Sequence, residues 1–108
     1  MSQILKGEIY LAELSPTVGS EISKKRPVLI VSNDINNQFA DTVSIVPITS
    51  TTSKIYPFEV FLPKGEGNLI NDSKAKCNQI RTIDKQRIQK RFGKISTEKL
   101  KEIEKAIL

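Results

Sequence analysis

Arg26 separates a polar loop, residues 15–25, from the apolar run Pro27-Val28-Leu29-Ile30-Val31. A guanidinium at the root of a buried strand is a rigid mount for reading phosphate. It offers five donors in a planar fork and keeps its charge at any working pH. The chain of 108 residues contains no histidine. Any phosphodiester chemistry here must therefore run without the side chain that usually moves protons near neutral pH. Cys77 is the only cysteine, which excludes an internal disulfide and a cysteine-rich metal site. It reads as a small filler in a strand rather than a reactive thiol. The carboxylates do not cluster, so no metal-nuclease site is expected. Four polar islands remain: Gly19-Ser20-Glu21, Ser32-Asn33-Asp34, Pro47-Ile48-Thr49-Ser50, and the stretch from Asn78 and Gln79 through Arg81 to Asp84. Taken singly, each reads as strand-end residues that satisfy turn backbone groups.

The elements that must position these islands are mostly short strands. Residues 8–14 alternate loosely and stop at Ser15-Pro16, a turn signal. Residues 27–32 form a β-branched run with Pro27 at the first position, where a missing N–H is tolerated, and Asn33-Asp34 and Asn36-Asn37 break it. Residues 42–48 predict a third strand whose internal Pro47 suggests an edge or a bulge. Residues 58–62 predict a fourth, closed by Pro63 and Gly65. A fifth runs over 73–83 with a register slip near Asn78, the mark of a bulge. Residues 84–88 suit one helical turn and 92–95 a short strand. Ser96 or Thr97 then caps a helix through Leu108, with Glu98 in its first turn. Leu100, Ile103, Ile107 and Leu108 share one face of it, a core or dimer stripe. The expected fold is mainly β (α+β): a small barrel-like sheet with a C-terminal amphipathic helix, as a single domain over 1–108.

Charge and composition narrow the class. Hydrophobic residues at 38% and charged residues at 27% fit a globular chain rather than a disordered one. A net charge of +5 favours polyanionic partners, nucleic acid before membrane surface. Lysine and arginine are spread along the chain, so any basic patch is assembled by the fold. No stretch approaches membrane-spanning length and no apolar leader opens the chain, so the cytoplasm is the expected compartment and no membrane partner is expected. Four Phe and two Tyr make extensive base stacking an unobvious binding mode.

Taken together and in order, the islands resemble the MazF/PemK family of toxin endoribonucleases. The resemblance runs from Gly7-Glu8-Ile9-Tyr10, through Gly19-Ser20-Glu21, the run from Arg26 to Asp34, Pro47-Ile48-Thr49-Ser50, Asp72-Ser73 and the stretch from Gln79 to Asp84, to the closing helix. It implies an SH3-like, PemK-type barrel that pairs as a homodimer. It also implies cleavage of single-stranded RNA at short sequences without metal or other cofactor, and neutralisation by a cognate antitoxin whose acidic, partly disordered C-terminal segment covers the RNA groove. The family's essential arginine and threonine match Arg26 and Thr49. Its RNA contacts match Ser20, Glu21, Asn33, Ser50, Asn78 and Gln79. Lys76 and Asn78 stand where some members carry a catalytic arginine and aspartate. Asn78 cannot act as a base, while Lys76 can bind phosphate as a point charge.

The chemistry such cleavage needs is partly legible in these residues. Arg26 can relieve charge on a phosphorane, and Thr49 can donate its hydroxyl to a non-bridging oxygen. Glu21 is the carboxylate candidate for accepting a proton, with a solvated loop carboxylate as the alternative. Arg81 can bind phosphate or pair with Asp84 to stabilise the sheet. Two rivals remain: a toxin of the same barrel that acts by binding a protein, as gyrase poisons do, and a non-catalytic RNA-binding barrel.

Overall fold

The computed structural model describes residues 3–16, 18–21 and 24–108. Seven strands appear: β1 (Glu8–Glu13), β2 (Lys25–Ile30), β3 (Thr42–Thr49), β4 (Glu59–Leu62), β5 (Ser73–Lys76), β6 (Arg81–Asp84) and β7 (Ile88–Lys94). Two α-helices, α1 (Asp34–Phe39) and α2 (Thr97–Ile107), accompany them, with 3₁₀ turns at Glu66–Asn68, Cys77–Gln79 and Lys85–Arg87. All pairings are antiparallel, in the order β4-β5-β3-β2-β1-β7, with β6 also on β3. Among the described residues no ladder joins β4 to β7, so the expected barrel is an open sheet rather than a closed one.

β3 is the hub. Along one edge it pairs with β2 from Val28↔Pro47 to Ile30↔Ile45. Along the other it pairs with β6 over Thr42–Ile45, then with β5 at Ile48 and Thr49. Pro47, whose sequence suggests an edge or a bulge, therefore lies in a central strand. Val31 N donates to Ser44 O at 3.0 Å on the β2 side, and Lys85 N to Asp41 O at 3.0 Å on the β6 side. Hydrogen-bonded pairs alternate along antiparallel ladders, so the Pro47 nitrogen faces β6 and the Pro27 nitrogen faces β3. Neither carries a hydrogen, and each ladder stops at its proline. The strand expected over 73–83 is accordingly split in two by the turn at Cys77–Gln79, where the register slip marks the sequence.

Alternation carries apolar residues to both faces of the central strands. Ile9, Leu29, Val46 and Ile48 join Val60, Leu62, Leu69, Ala75, Ile95 and Ile103 in one core. Tyr10, Ala12, Leu14, Val28, Ile30, Val43, Ile45 and Ile83 form the other. The α2 stripe belongs to the first core: Ile103 is fully buried, and Leu100, Ala106 and Ile107 pack beside it. It is a core face, although Leu108 stays exposed. The Ser96 side chain caps α2, accepting from Lys99 N at 3.2 Å.

Two elements depart from expectation. Residues 34–39 form α1, capped by the Asn33 side chain, which accepts from Asn36 N at 2.8 Å. Helical periodicity concealed it because its apolar Ile35 and Phe39 are exposed and the buried member is Asn37. β7 begins at Ile88 rather than 92 because it pairs with β1 along most of its length through two register shifts.

The outer edge of β7 is covered by the 3₁₀ turn at Glu66–Asn68, where Asn68 Nδ2 donates to Phe92 O at 2.8 Å. Gly67 has φ +57°, and a Cβ there would lie 2.4 Å from Ile9 Cδ1 and 3.3 Å from Ile95 Cγ2. Gly67→Ala combines left-handed backbone with overpacking, so it should lower the unfolding free energy by about 2 kcal/mol, measured by urea denaturation.

The buried Glu8 carboxylate joins β1 to β7. It accepts from Leu5 N at 2.7 Å, Tyr10 Oη at 3.0 Å and Arg91 Nε at 2.5 Å. Burial alone would raise its pKa, but these donors outweigh it and hold the carboxyl below the usual range. Burial and the adjacent carboxylate push Tyr10 up to about 12. A depressed carboxyl contributes stability above its unfolded pKa and loses it as pH falls. Glu8→Gln should therefore be less stable than wild type at neutral pH, and the gap should narrow on acidification through the carboxylate range.

Candidate functional site

The β2–β3 ladder ends at Val28↔Pro47, and continuing its register two residues sets Arg26 opposite Thr49. By the same alternation the two side chains leave the same face of the sheet. Arg26 is not outside the strand, as its sequence suggests. It is half-buried within β2, paired with Ala12 of β1. Where the ladder stops, a cavity of about 250 Å³ opens, lined by Pro27, Ile48, Thr49, Ser50, Asn71 and Phe92 among others. Thr49 Oγ1 accepts from Thr51 N at 3.3 Å, which occupies an acceptor site and leaves the hydroxyl hydrogen to donate elsewhere. Ser50 is exposed at the mouth.

On its other edge Thr49 pairs with Lys74, which in turn pairs with Phe61, while Lys76 pairs with Glu59. Directly opposed residues share a face, so both lysines stand on the Thr49 side of the sheet. Glu59 has a fully buried side chain, and its Oε1 accepts from Lys74 Nζ at 2.9 Å and Tyr56 N at 2.9 Å. Its Oε2 lies 3.2 Å from Lys76 Nζ, an ion pair without the alignment of a hydrogen bond. Burial would raise the Glu59 pKa, but Tyr56 N–H and both lysines hold it lowered and ionised. One carboxylate against two ammoniums leaves a net positive cluster. Burial, with Glu59 adding to it, raises the Cys77 thiol to about 11. Cys77 fills the first core from the turn at Cys77–Gln79 rather than from a strand, because the strand expected over 73–83 is interrupted there.

Lys74 Nζ also donates to Lys54 O at 2.7 Å, fixing the loop between β3 and β4. On that loop Tyr56 and Phe58 stack with ring centroids 5.3 Å apart and planes 5° from parallel, and Lys54 Nζ sits 4.7 Å from the Tyr56 centroid. Sequence reasoning missed Glu59, Lys74 and this aromatic pair. The alternation Lys74-Ala75-Lys76 does place two ammoniums on one face, but their partner is identified only by the pairing of β4 with β5.

The loop before Arg26 includes Thr17, Ile22 and Ser23, which lie outside the described residues. Its base is closed by Leu14 N to Lys24 O at 3.0 Å and Lys24 N to Ser15 Oγ at 2.9 Å. Arg87 Nη1 donates to Glu13 O and Ser15 O, and Arg81 Nη1 to Leu14 O at 3.4 Å. Arg81 thus braces the loop rather than pairing with Asp84, whose side chain caps the turn at Lys85–Arg87. Ser20 and Glu21 are exposed, and Glu21 Oε1 accepts from Val18 N at 2.9 Å within the same loop.

The remaining candidates stand apart from Thr49. Asn33 lines a separate cavity of about 520 Å³ with Lys6, Ser44, Ile80 and Glu104, and its side-chain oxygen is committed to capping α1. Asn78 and Gln79 occupy the turn that leads into Ile80, beside that second cavity; Asn78 is exposed and Gln79 half-buried.

No helix among the described residues is long and apolar enough to cross a membrane. The chain is 36% identical over 107 residues to Endoribonuclease MazF9 of Mycobacterium tuberculosis, covering 94% of this chain and 91% of that protein. A crystal structure of MazF from Deinococcus radiodurans superposes with a TM-score of 0.87 at 24% identity, covering 99% of this chain and 94% of the other. An endoribonuclease from a mycobacterial species, in complex with its cognate antitoxin, superposes at 0.77 with 21% identity over 99% and 91% of the two chains. The PemK-like, MazF-like toxin family model matches residues 5–108, and with these likenesses in hand the chain belongs to that family of type II toxin–antitoxin toxins.

Proposed function

We propose that this chain is a toxin endoribonuclease that cuts single-stranded mRNA sequence-selectively in the cytoplasm, and that a cognate antitoxin neutralises it. The observation that carries this reading is the register that sets Arg26 opposite Thr49 where the β2–β3 ladder ends. In the proposed reaction the ribose 2′-hydroxyl gives up its proton to solvent as its oxygen attacks the neighbouring phosphorus, and the 5′-oxygen leaves, taking up a proton from solvent. The ends formed are a 2′,3′-cyclic phosphate and a 5′-hydroxyl. Arg26 neutralises charge on the equatorial oxygens, and the Thr49 hydroxyl donates to one of them. Lys74 and Lys76 add fixed positive potential beside them. Ser20, Glu21, Ser50, Asn78 and Gln79 are assigned to holding RNA, with Asn33 at the far end of the track.

The same basic face suits an acidic, partly disordered antitoxin segment that competes with RNA by charge. Pairing as a homodimer is part of this reading. The α2 stripe is occupied by its own core, and Ile35 and Phe39, exposed one turn apart on α1, are among the apolar side chains left for a second copy.

Arg26→Ala should retain the fold and lose about a hundredfold or more in cleavage of a mapped site. Near-normal cutting by that variant would remove the assignment. Thr49→Ala should also cut slowly. Arg81→Ala, which loses the Leu14 carbonyl bond, should instead lower the melting temperature.

Among the described residues no three His, Cys, Asp or Glu side chains gather as a ligand set; the proposed reaction uses the substrate's own hydroxyl. Excess EDTA should leave the rate unchanged. Deoxyribose on the 5′ side of the scissile phosphate should abolish cutting while binding persists. Cleavage of that strand, or a strict need for Mg²⁺, would overturn the mechanism.

A further inference from the structure

We infer that the Tyr56–Phe58 stack is a base-stacking subsite, taking one unpaired RNA base with the adjoining phosphate near Lys54. This rests on the endoribonuclease reading and extends the RNA track beyond the Arg26–Thr49 pair. The two rings are parallel to within 5°, yet Tyr56 and Phe58 remain 41% and 42% exposed. Half-exposed parallel rings offer a flat π surface that any base can cover, a sequence-tolerant contact.

The platform is held rigidly. Tyr56 N donates to the buried Glu59 carboxylate at 2.9 Å, and Glu59 N returns a bond to Tyr56 O at 2.9 Å. Lys74 ties the same carboxylate to Lys54 O. A loop ordered before the ligand arrives loses little further entropy on binding, and that favours affinity. Charge selects the occupant. Lys54 Nζ lies 4.7 Å and Lys74 Nζ 5.8 Å from the Tyr56 centroid, and Lys76 stands on the same face. With Lys54 over the Tyr56 ring and Phe58 stacked against it, the Phe58 ring is the surface left for a base, and ammoniums this close suit a base carrying a phosphate better than an apolar peptide side chain. Location agrees: Lys74, which anchors the loop, is the direct register partner of Thr49.

The test uses the cut site mapped on mixed RNA with the wild-type protein. A short RNA spanning that site carries deoxyribose at the scissile position and 2-aminopurine at successive positions in turn. With wild type, one position should show strong fluorescence quenching on binding. Phe58→Leu, which keeps apolar volume without the ring, should lose that quenching and bind about tenfold more weakly. Its cutting rate at saturating RNA should stay near wild type, and Phe58→Trp should restore affinity. Lys54→Gln should weaken binding and flatten its salt dependence. Unchanged binding and quenching in Phe58→Leu would overturn the subsite, as would a loss confined to binding of an acidic glutamate-rich peptide. Failure of the wild-type protein to cut any RNA would instead overturn the endoribonuclease reading.

Discussion

Two missing N–H groups decide where the central strand can pair. The Pro27 nitrogen faces β3 and the Pro47 nitrogen faces β6, and at each the ladder must end because the donor does not exist. Everything distinctive about the site follows from those interruptions. Beyond Pro27 the β2 and β3 backbones need no longer stay at hydrogen-bonding distance, and a cavity bordered by Thr49 opens on the Leu11, Pro27 and Ile48 side of the sheet, the face opposite the Arg26 and Lys74 side chains. Beyond Pro47 the partner changes from β6 to β5, which draws β4 and β5 around the same end of β3. Lys74, Lys76 and Glu59 gather beside Thr49 where regular pairing fails, and Arg26 stands across the continued β2–β3 register from it.

Electrostatics then stabilises what backbone geometry arranges. A buried carboxylate without partners would cost several kcal/mol. Glu59 is instead met by two ammoniums and one amide N–H, all supplied by the strand and loop that border Thr49. The cluster therefore serves two ends: it compensates the buried charge, and it leaves an excess of positive charge on the face a polyanion would approach.

Much of this architecture was legible in the residues, and the parts that were not have physical reasons. The strand framework, the capped C-terminal helix, the turn at 85–87 and the slip near Asn78 follow from alternation, cap chemistry and turn residues, all local signals. α1 escaped because its apolar residues face outward and its buried residue is an asparagine, which inverts the usual pattern. Pro47 suggests an edge or a bulge yet lies in the central strand, because sequence shows that an N–H is missing but not which neighbour would have used it. The same ignorance of pairing hid Glu59 and Lys74. A carboxylate and a lysine 15 positions apart become partners only once β4 lies against β5. Arg26 and Thr49 could be named from the resemblance, but their apposition could not, since it depends on the register between β2 and β3.

Arg81 and Arg87 brace the base of the loop before Arg26 by donating to the carbonyls of Leu14, Glu13 and Ser15. A carbonyl satisfies an arginine's hydrogen-bonding geometry without cancelling its charge. A residue that looks purely architectural therefore still projects a full unit of positive potential into solvent. Mobile anions gather around such charges and must be released when a polyelectrolyte takes their place. The scaffold's own braces thus contribute to how steeply an approaching strand's affinity falls with ionic strength, although neither guanidinium need touch that strand.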